Sequence, residues 1–136
     1  MTRVSVEVPA ELTGPIRETV LLLYEATAES ARLAVKARTE GRGSLEDVDV
    51  HRARLAELDD LLSALDAPGP VSVSAPRDLL HDALYGALID AGERLAVASD
   101  RAWRGELPLE RVREAAEAVL AIDRVLRALG PTPEPR

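Results

Sequence analysis

Two histidines are the side chains best suited to hold a metal or to move a proton near neutral pH. His51 follows Asp47 by four residues and His81 follows Asp78 by three, so each pair could share one helix face. A carboxylate-bridged metal site in a helical bundle needs inward glutamates and a Glu-x-x-His pair on each of two helices. Neither histidine has a glutamate three residues before it. We therefore predict neither a metal nor any other cofactor.

Carboxylates are the other side chains that could do chemistry. Glu18, Glu25 and Glu29 are spaced to lie near one helix face. Acid–base catalysis would need two carboxyl groups whose pKa values are driven apart in a cleft, whereas this spacing is typical of a solvated face. The loop "EGRGS" lacks the lysine of a phosphate-binding loop, and no serine lies in a nucleophile-elbow motif. The sequence therefore predicts a protein that is not an enzyme.

Composition narrows the choice of partners. The 136 residues carry a net charge of −7 and no cysteine, which excludes disulfides and thiolate sites. The acidic composition argues against nucleic-acid binding, which normally requires a basic surface. Apolar runs such as Val20–Leu23 are far shorter than the roughly 20 residues that span a bilayer. With no signal peptide at the start, we expect a soluble, cytoplasmic protein that inserts in no membrane.

The chain also contains two similar segments, "RVSVEVP" near the start and "PVSVSAP" near the middle. Further similarities follow in the same order. "RLAV" occurs at 32–35 and 94–97 and "RG" at 42–43 and 104–105, and the apolar residues after each "RG" have similar spacing. Such order favours an internal duplication. We predict one domain over residues 1–130, made of repeats 1–66 and 70–130, followed by a disordered tail at 131–136.

Each repeat predicts one strand and two helices. Alternating valines indicate a strand with one buried face, and two such strands could pair antiparallel; the alternative is an extended lead-in before each helix. Apolar spacing of three and four predicts helices over 15–39, 44–66, 77–104 and 108–129. Ser44 and Asp47 resemble a capping box. The fold class is mainly α: an internally duplicated (β-α-α)×2 unit forming a four-helix arrangement with pseudo-twofold symmetry and a short two-stranded antiparallel ribbon.

The first and third helices are apolar on nearly every side, which is typical of helices that contact a partner as well as the core. We therefore predict a homodimer, with a further protein partner possible; the alternative is a monomer covered by arginine stems. The sequence gives six candidates for the partner interface: Leu21, Leu22, Tyr24, Leu88, Ile89 and Trp103. Trp103 has two interpretations, a lid over the end of the core or an anchor for a partner.

"TRVSVEVPAELTGPIRE" resembles the opening of ribbon-helix-helix regulators, and "VSVSAPRDLLHDAL" repeats the likeness. In that family two strands pair across a dimer and their polar side chains enter the DNA major groove. The resemblance implies that Arg3, Ser5, Glu7, Ser72 and Ser74 would face DNA, and that a tandem copy would build the dimer within one chain. Our main prediction is a non-enzymatic interaction or regulatory protein that self-associates; the alternative is a ribbon-helix-helix-like DNA-binding regulator.

Overall fold

The computed structural model describes residues 2–130, which are mainly helical and include one two-stranded antiparallel sheet. The elements in chain order are β1 (Arg3–Val8), a 3-10 turn (Ala10–Leu12), α1 (Thr13–Thr39), α2 (Leu45–Leu65), β2 (Val71–Pro76), α3 (Arg77–Trp103) and α4 (Leu109–Arg127). Each helix lies within two residues of its predicted bounds. The predicted disordered tail at 131–136 lies outside the described residues.

The two valine-rich segments form a ribbon, as predicted. β1 pairs antiparallel with β2, and Val6 lies directly opposite Val73. Both of these valines are buried, whereas the neighbouring Ser5 and Ser74 are exposed, because successive side chains of a strand point to opposite faces. Each strand satisfies the backbone groups that the other would leave unpaired, so neither segment is a mere lead-in to its helix.

The helices form two hairpins, α1 with α2 and α3 with α4, and the two connections close in the same way. Gly41 and Gly105 both have φ of 77°, a conformation that side-chain-bearing residues rarely adopt. After each glycine an amide donates back to the last turn of the helix: Arg42 N to Ala37 O at 2.7 Å and Glu106 N to Arg101 O at 2.9 Å.

The next helix of the first hairpin begins with the predicted cap. The Asp47 amide donates to Ser44 Oγ at 3.2 Å. This bond satisfies one of the amides that the first turn of α2 would otherwise leave without a partner.

The core lies where the ribbon meets both hairpins. Leu58 of α2 and Ile122 of α4 are almost completely buried beside the inner face of the ribbon. No polar or charged residue is buried among residues 2–130. The core residues are Val6, Val8, Leu12, Ile16, Val20, Leu58, Leu61, Leu65, Val73, Ala75, Leu79, Leu80, Ala83, Leu84, Ala87, Ala91, Ile122, Val125 and Leu129.

The outer halves of both hairpins contain no buried residue at all, over 21–47 in the first and 92–121 in the second. Beyond Val20 in α1 and Ala91 in α3, the apolar side chains are at most half-buried. A pair of helices without a third layer cannot enclose a side chain on every side. The hairpin ends therefore leave large apolar side chains in water.

Candidate interaction surfaces

The six predicted interface residues divide by exposure. Trp103 is 90% exposed, Leu22 66%, Ile89 48% and Leu21 39%. Tyr24 and Leu88 are half-buried and pack against the core, so less of their surface is left for a partner. Of the exposed residues, Leu22 and Ile89 lie beside the contact between α1 and α3, and Trp103 lies at the end of the second hairpin.

The contact between α1 and α3 is close because Gly86 has no side chain. A Cβ atom at Gly86 would lie 2.7 Å from Thr19 Cγ2. Glu18, one residue before Thr19, lies 3.7 Å from Arg94, eight residues beyond Gly86. Pro15, four residues before Thr19, lines the same recess as Asp90 and Arg94, four and eight residues beyond Gly86. Moving toward the start of α1 therefore corresponds to moving toward the end of α3, so the two helices run in opposite directions through this crossing.

One turn beyond the crossing, each helix presents an exposed apolar residue, Leu22 on α1 and Ile89 on α3. A step of three residues rotates a helical side chain by about 60° from its starting direction. Since the helices are antiparallel here, the same rotation brings both side chains to one face. Tyr85, 50% exposed, lies one turn before Ile89. We call Leu22, Tyr85 and Ile89 the crossing patch; Leu21 lies on the side of α1 away from α3, because two residues rotate a helical side chain by about 200°.

Acidic side chains surround the crossing patch. Residues 18–31 and 78–93 together contain seven carboxylates and neither lysine nor arginine. Arg32, Arg54 and Arg94 reach some of these carboxylates from outside the two segments. Seven acidic groups against three arginines leave four negative charges. Within residues 2–130, Glu25 and Glu93 have no ion-pair partner within 4 Å.

Trp103 stands at the other exposed surface, on the last residue of α3. Beside it lies a groove of about 310 Å³ whose remaining lining residues are Ser99, Ala102, Leu107, Leu109 and Val112. Leu109 is itself 71% exposed. We call Trp103, Leu107, Leu109 and Val112 the tip patch. It places a large protruding ring next to an apolar recess on the same molecule.

The interpretation of Trp103 as a lid is wrong, because a ring that is 90% exposed covers no core. The turn does not require it either. Thr39 occupies the corresponding last position of α1, its hydroxyl donates to Val35 O at 2.9 Å, and that connection closes with the same hydrogen bonds. An exposed tryptophan without a structural role is typical of an interaction site.

The chemically capable residues do not converge. The His81 ring stacks on Tyr85 with centroids 5.7 Å apart, and Glu18, Glu25 and Glu29 are all exposed. The hydrogen bond from Arg32 lowers the pKa of Glu29, whereas a carboxyl group that donates a proton in catalysis needs a raised pKa. Within residues 2–130, no three His, Cys, Asp or Glu side chains are grouped so that they could hold a metal ion.

The outer face of the ribbon carries little positive charge. Ser5, Glu7, Ser72 and Ser74 are exposed there. Arg3, the single cation of the two strands, donates to Glu57 Oε1 at 2.6 Å and to Ser74 O at 3.1 Å. This cation is held against a carboxylate rather than presented to a phosphate.

Sequence reasoning missed several exposed apolar residues, among them Tyr85, Leu109 and Val50. Tyr85 could have been found from its spacing of four to Ile89, and Leu109 from its place beside the second turn. Val50, 61% exposed, lines a recess of about 230 Å³ between α2 and the start of α3. No sequence signal marks it, since the recess exists only where the hairpins meet the ribbon.

None of the helices described in residues 2–130 has both the length and the apolar character needed to cross a bilayer. Comparison of the chain with models of protein families, with curated proteins and with solved structures finds no significant match.

Proposed function

We propose that this chain is a small, non-enzymatic interaction protein of the cytoplasm that self-associates as a homodimer. The observation that carries the proposal is the tip patch: a tryptophan that is 90% exposed beside an apolar groove. Tryptophan is among the residues that contribute most to binding free energy at protein interfaces. A side chain of this size left in water at the end of a hairpin gains most from a partner surface.

A second copy fits the tip patch because the protruding ring and the recess are neighbours. In a twofold dimer the same surface meets itself, so Trp103 of each copy would enter the groove of the other. The charges also suit such a contact: Glu110 and Arg113 flank Leu109 and, among residues 2–130, neither has an ion-pair partner within 4 Å. In a twofold dimer, Glu110 of each copy could therefore pair with Arg113 of the other.

The crossing patch is a poorer place for a second copy. It would bring two surfaces together that each carry four uncompensated negative charges, and like charges brought together at an interface oppose binding. The tip patch, by contrast, has arginines and carboxylates in near balance, since Arg101 pairs with Glu106 and Arg104 with Asp100. We therefore assign self-association to the hairpin end.

Dilution of the purified protein tests this proposal directly, because Trp103 is the single tryptophan of the chain. The tip patch is small, and interfaces under about 1,200 Å² are typically weak, so we expect a dissociation constant of order micromolar. Sedimentation across about 1 to 100 µM should show a change from monomer to dimer. The tryptophan emission should shift to longer wavelength over the same range as the ring returns to water.

Trp103→Phe should weaken the dimer, and Trp103→Ala should weaken it more. We expect a loss of about 30-fold or more for Trp103→Ala, because each dimer loses two rings that contribute at least about 1 kcal/mol each. The matched control is Leu33→Ala, a 50% exposed residue of the other hairpin, which should leave the mass unchanged. A mass of 14.6 kDa at every concentration would contradict self-association. A dimer unaffected by Trp103→Ala would contradict its placement at the tip patch.

We also propose that the chain arose by duplication of one strand-helix-helix unit. Three observations support this. Val6 faces Val73 and Thr19 faces Gly86, both pairs 67 residues apart, while Gly41 and Gly105 close equivalent turns 64 residues apart.

The "RLAV" echo does not belong to this correspondence. Its copies lie 62 residues apart, and they occupy different environments: Leu33 is exposed, whereas Leu95 is half-buried. The repeated letters there have no structural counterpart.

The antiparallel ribbon favours one second candidate, the ribbon-helix-helix-like DNA-binding regulator. Under that alternative, the chain should bind labelled duplex DNA with a steep salt dependence, and Arg3→Ala should weaken this binding. Because Arg3 is held by Glu57 at 2.6 Å and the chain is acidic, our proposal expects no binding in this titration at about 0.05 M salt.

A further inference from the structure

We propose that the crossing patch is the docking site for a basic amphipathic helix of a partner protein. This inference rests on the proposed role as an interaction protein, but not on self-association. It concerns a surface separate from the tip patch: Leu22 and Ile89 flank the crossing of α1 and α3, whereas Trp103 lies 14 residues beyond Ile89 at the end of α3.

The pattern on α1 places carboxylates on both sides of an apolar residue. Glu18, Leu22, Glu25 and Glu29 follow one another at intervals of four, three and four, which puts them on one helix face. All four are exposed. Leu22 therefore stands in the middle of an acidic stripe.

The pattern on α3 is the same. Asp82, Ile89 and Glu93 are separated by intervals of seven and four and are exposed, and Tyr85 lies between the first two. Because Leu22 and Ile89 are on one face, the two stripes lie side by side with apolar residues toward the crossing and carboxylates around them.

A partner for this surface needs apolar side chains along its centre and cations beside them. An amphipathic helix with leucines on one face and lysines or arginines flanking that face meets both requirements, and helices commonly dock by laying such a face on an apolar surface. Opposite potentials across the interface would speed association and select against acidic partners. The net negative charge of this surface also disfavours a second copy as the occupant.

The probe is a fluorescently labelled helical peptide of about 18 residues, five turns, with leucine on one face and lysine elsewhere. Its matched control has glutamate in place of every lysine. We expect the lysine peptide to bind the full chain, and the glutamate peptide to bind at least ten-fold more weakly. Raising the salt from about 0.05 to 0.5 M should weaken binding of the lysine peptide, since screening acts on charges near the surface.

Two variants locate the site. Leu22→Ser with Ile89→Ser removes apolar surface and should weaken binding of the lysine peptide ten-fold or more, at low and at high salt. Glu25→Gln with Glu93→Gln removes two charges and should weaken it several-fold at low salt only. Both pairs are exposed, so folding should be retained. The matched control, Leu120→Ser with Glu117→Gln, changes exposed residues of α4 and should have no effect.

The outcomes separate this inference from the proposed dimer. Trp103→Ala should weaken dimerisation and leave peptide binding intact. If the lysine peptide binds equally to the control and to the Leu22→Ser, Ile89→Ser variant, or does not bind at all, the docking site is wrong. If that variant instead lowers the mass in sedimentation, the crossing patch is covered by a second copy and the proposed partner is wrong.

Discussion

Leu58→Ala is expected to lower the free energy of unfolding by about 2–5 kcal/mol, which is the usual cost of truncating a fully buried leucine. Leu58 is 0% exposed at the meeting point of α2 with the ribbon and the other hairpin. Its neighbours belong to several elements, so they cannot all move inward to fill the space that the side chain leaves. Urea unfolding followed by circular dichroism gives the value, with the denaturant slope checked for constancy.

Ile122 of α4 serves as the companion position. It is 1% exposed and lies 64 residues after Leu58, the spacing that relates the two turns. If the halves contribute equally to one core, Ile122→Ala should cost a similar amount. The exposed control Leu33→Ala should cost no more than about 0.5 kcal/mol. Two separate unfolding transitions, each altered by only one of the core variants, would contradict the shared core.

Gly86→Ala is expected to destabilise the protein even though alanine favours helices over glycine by about 1 kcal/mol. The added Cβ would lie 2.7 Å from Thr19 Cγ2, so either Thr19 would have to rotate and lose its hydrogen bond to Pro15 O, or α1 and α3 would have to separate. The proper reference is Gly92→Ala on the same helix, where no atom lies within 4 Å of the added Cβ and the helix preference acts alone. We expect the two variants to differ by about 1–3 kcal/mol, the usual cost of overpacking.

A compensating change shows whether the crossing causes this loss. Thr19→Ser removes the methyl group that Gly86→Ala would strike, so the double variant should recover most of the stability difference. The coupling energy from the double-mutant cycle reports the contact itself. A cycle with no coupling, or Gly86→Ala as stable as Gly92→Ala, would mean that α1 and α3 do not meet at these residues.

The elements of this fold follow from short-range pattern, and for that reason they could be predicted. Alternating valines describe a strand, spacing of three and four describes a helix, and Ser44 before Asp47 describes a cap, because each depends on geometry within a few residues. The antiparallel pairing of β1 with β2 could also be inferred, since an isolated strand leaves its backbone groups without partners.

The positions of the candidate sites depended on how far each helix extends beyond the core, which no local pattern encodes. Apolar residues on every side of α1 and α3 predicted extra contact surface, yet Tyr24 and Leu88 pack against the core while Leu22 and Ile89 remain in water. Helices α1 and α3 extend beyond the region in which the ribbon and the other hairpin cover them. Periodicity gives the side of a helix that is apolar, but not how far along the helix a third layer extends.

Trp103 illustrates the same limit. Its type and its position after a helix were compatible with a lid or with an anchor, and the sequence by itself determined only that a large ring lies beside a glycine turn. The tertiary structure excluded the lid, because the second hairpin extends past the core and carries the ring to its free end, 90% exposed, and the anchor stays a prediction. Exposure depends on which other elements come near in space, and that is set by packing among residues far apart in the chain.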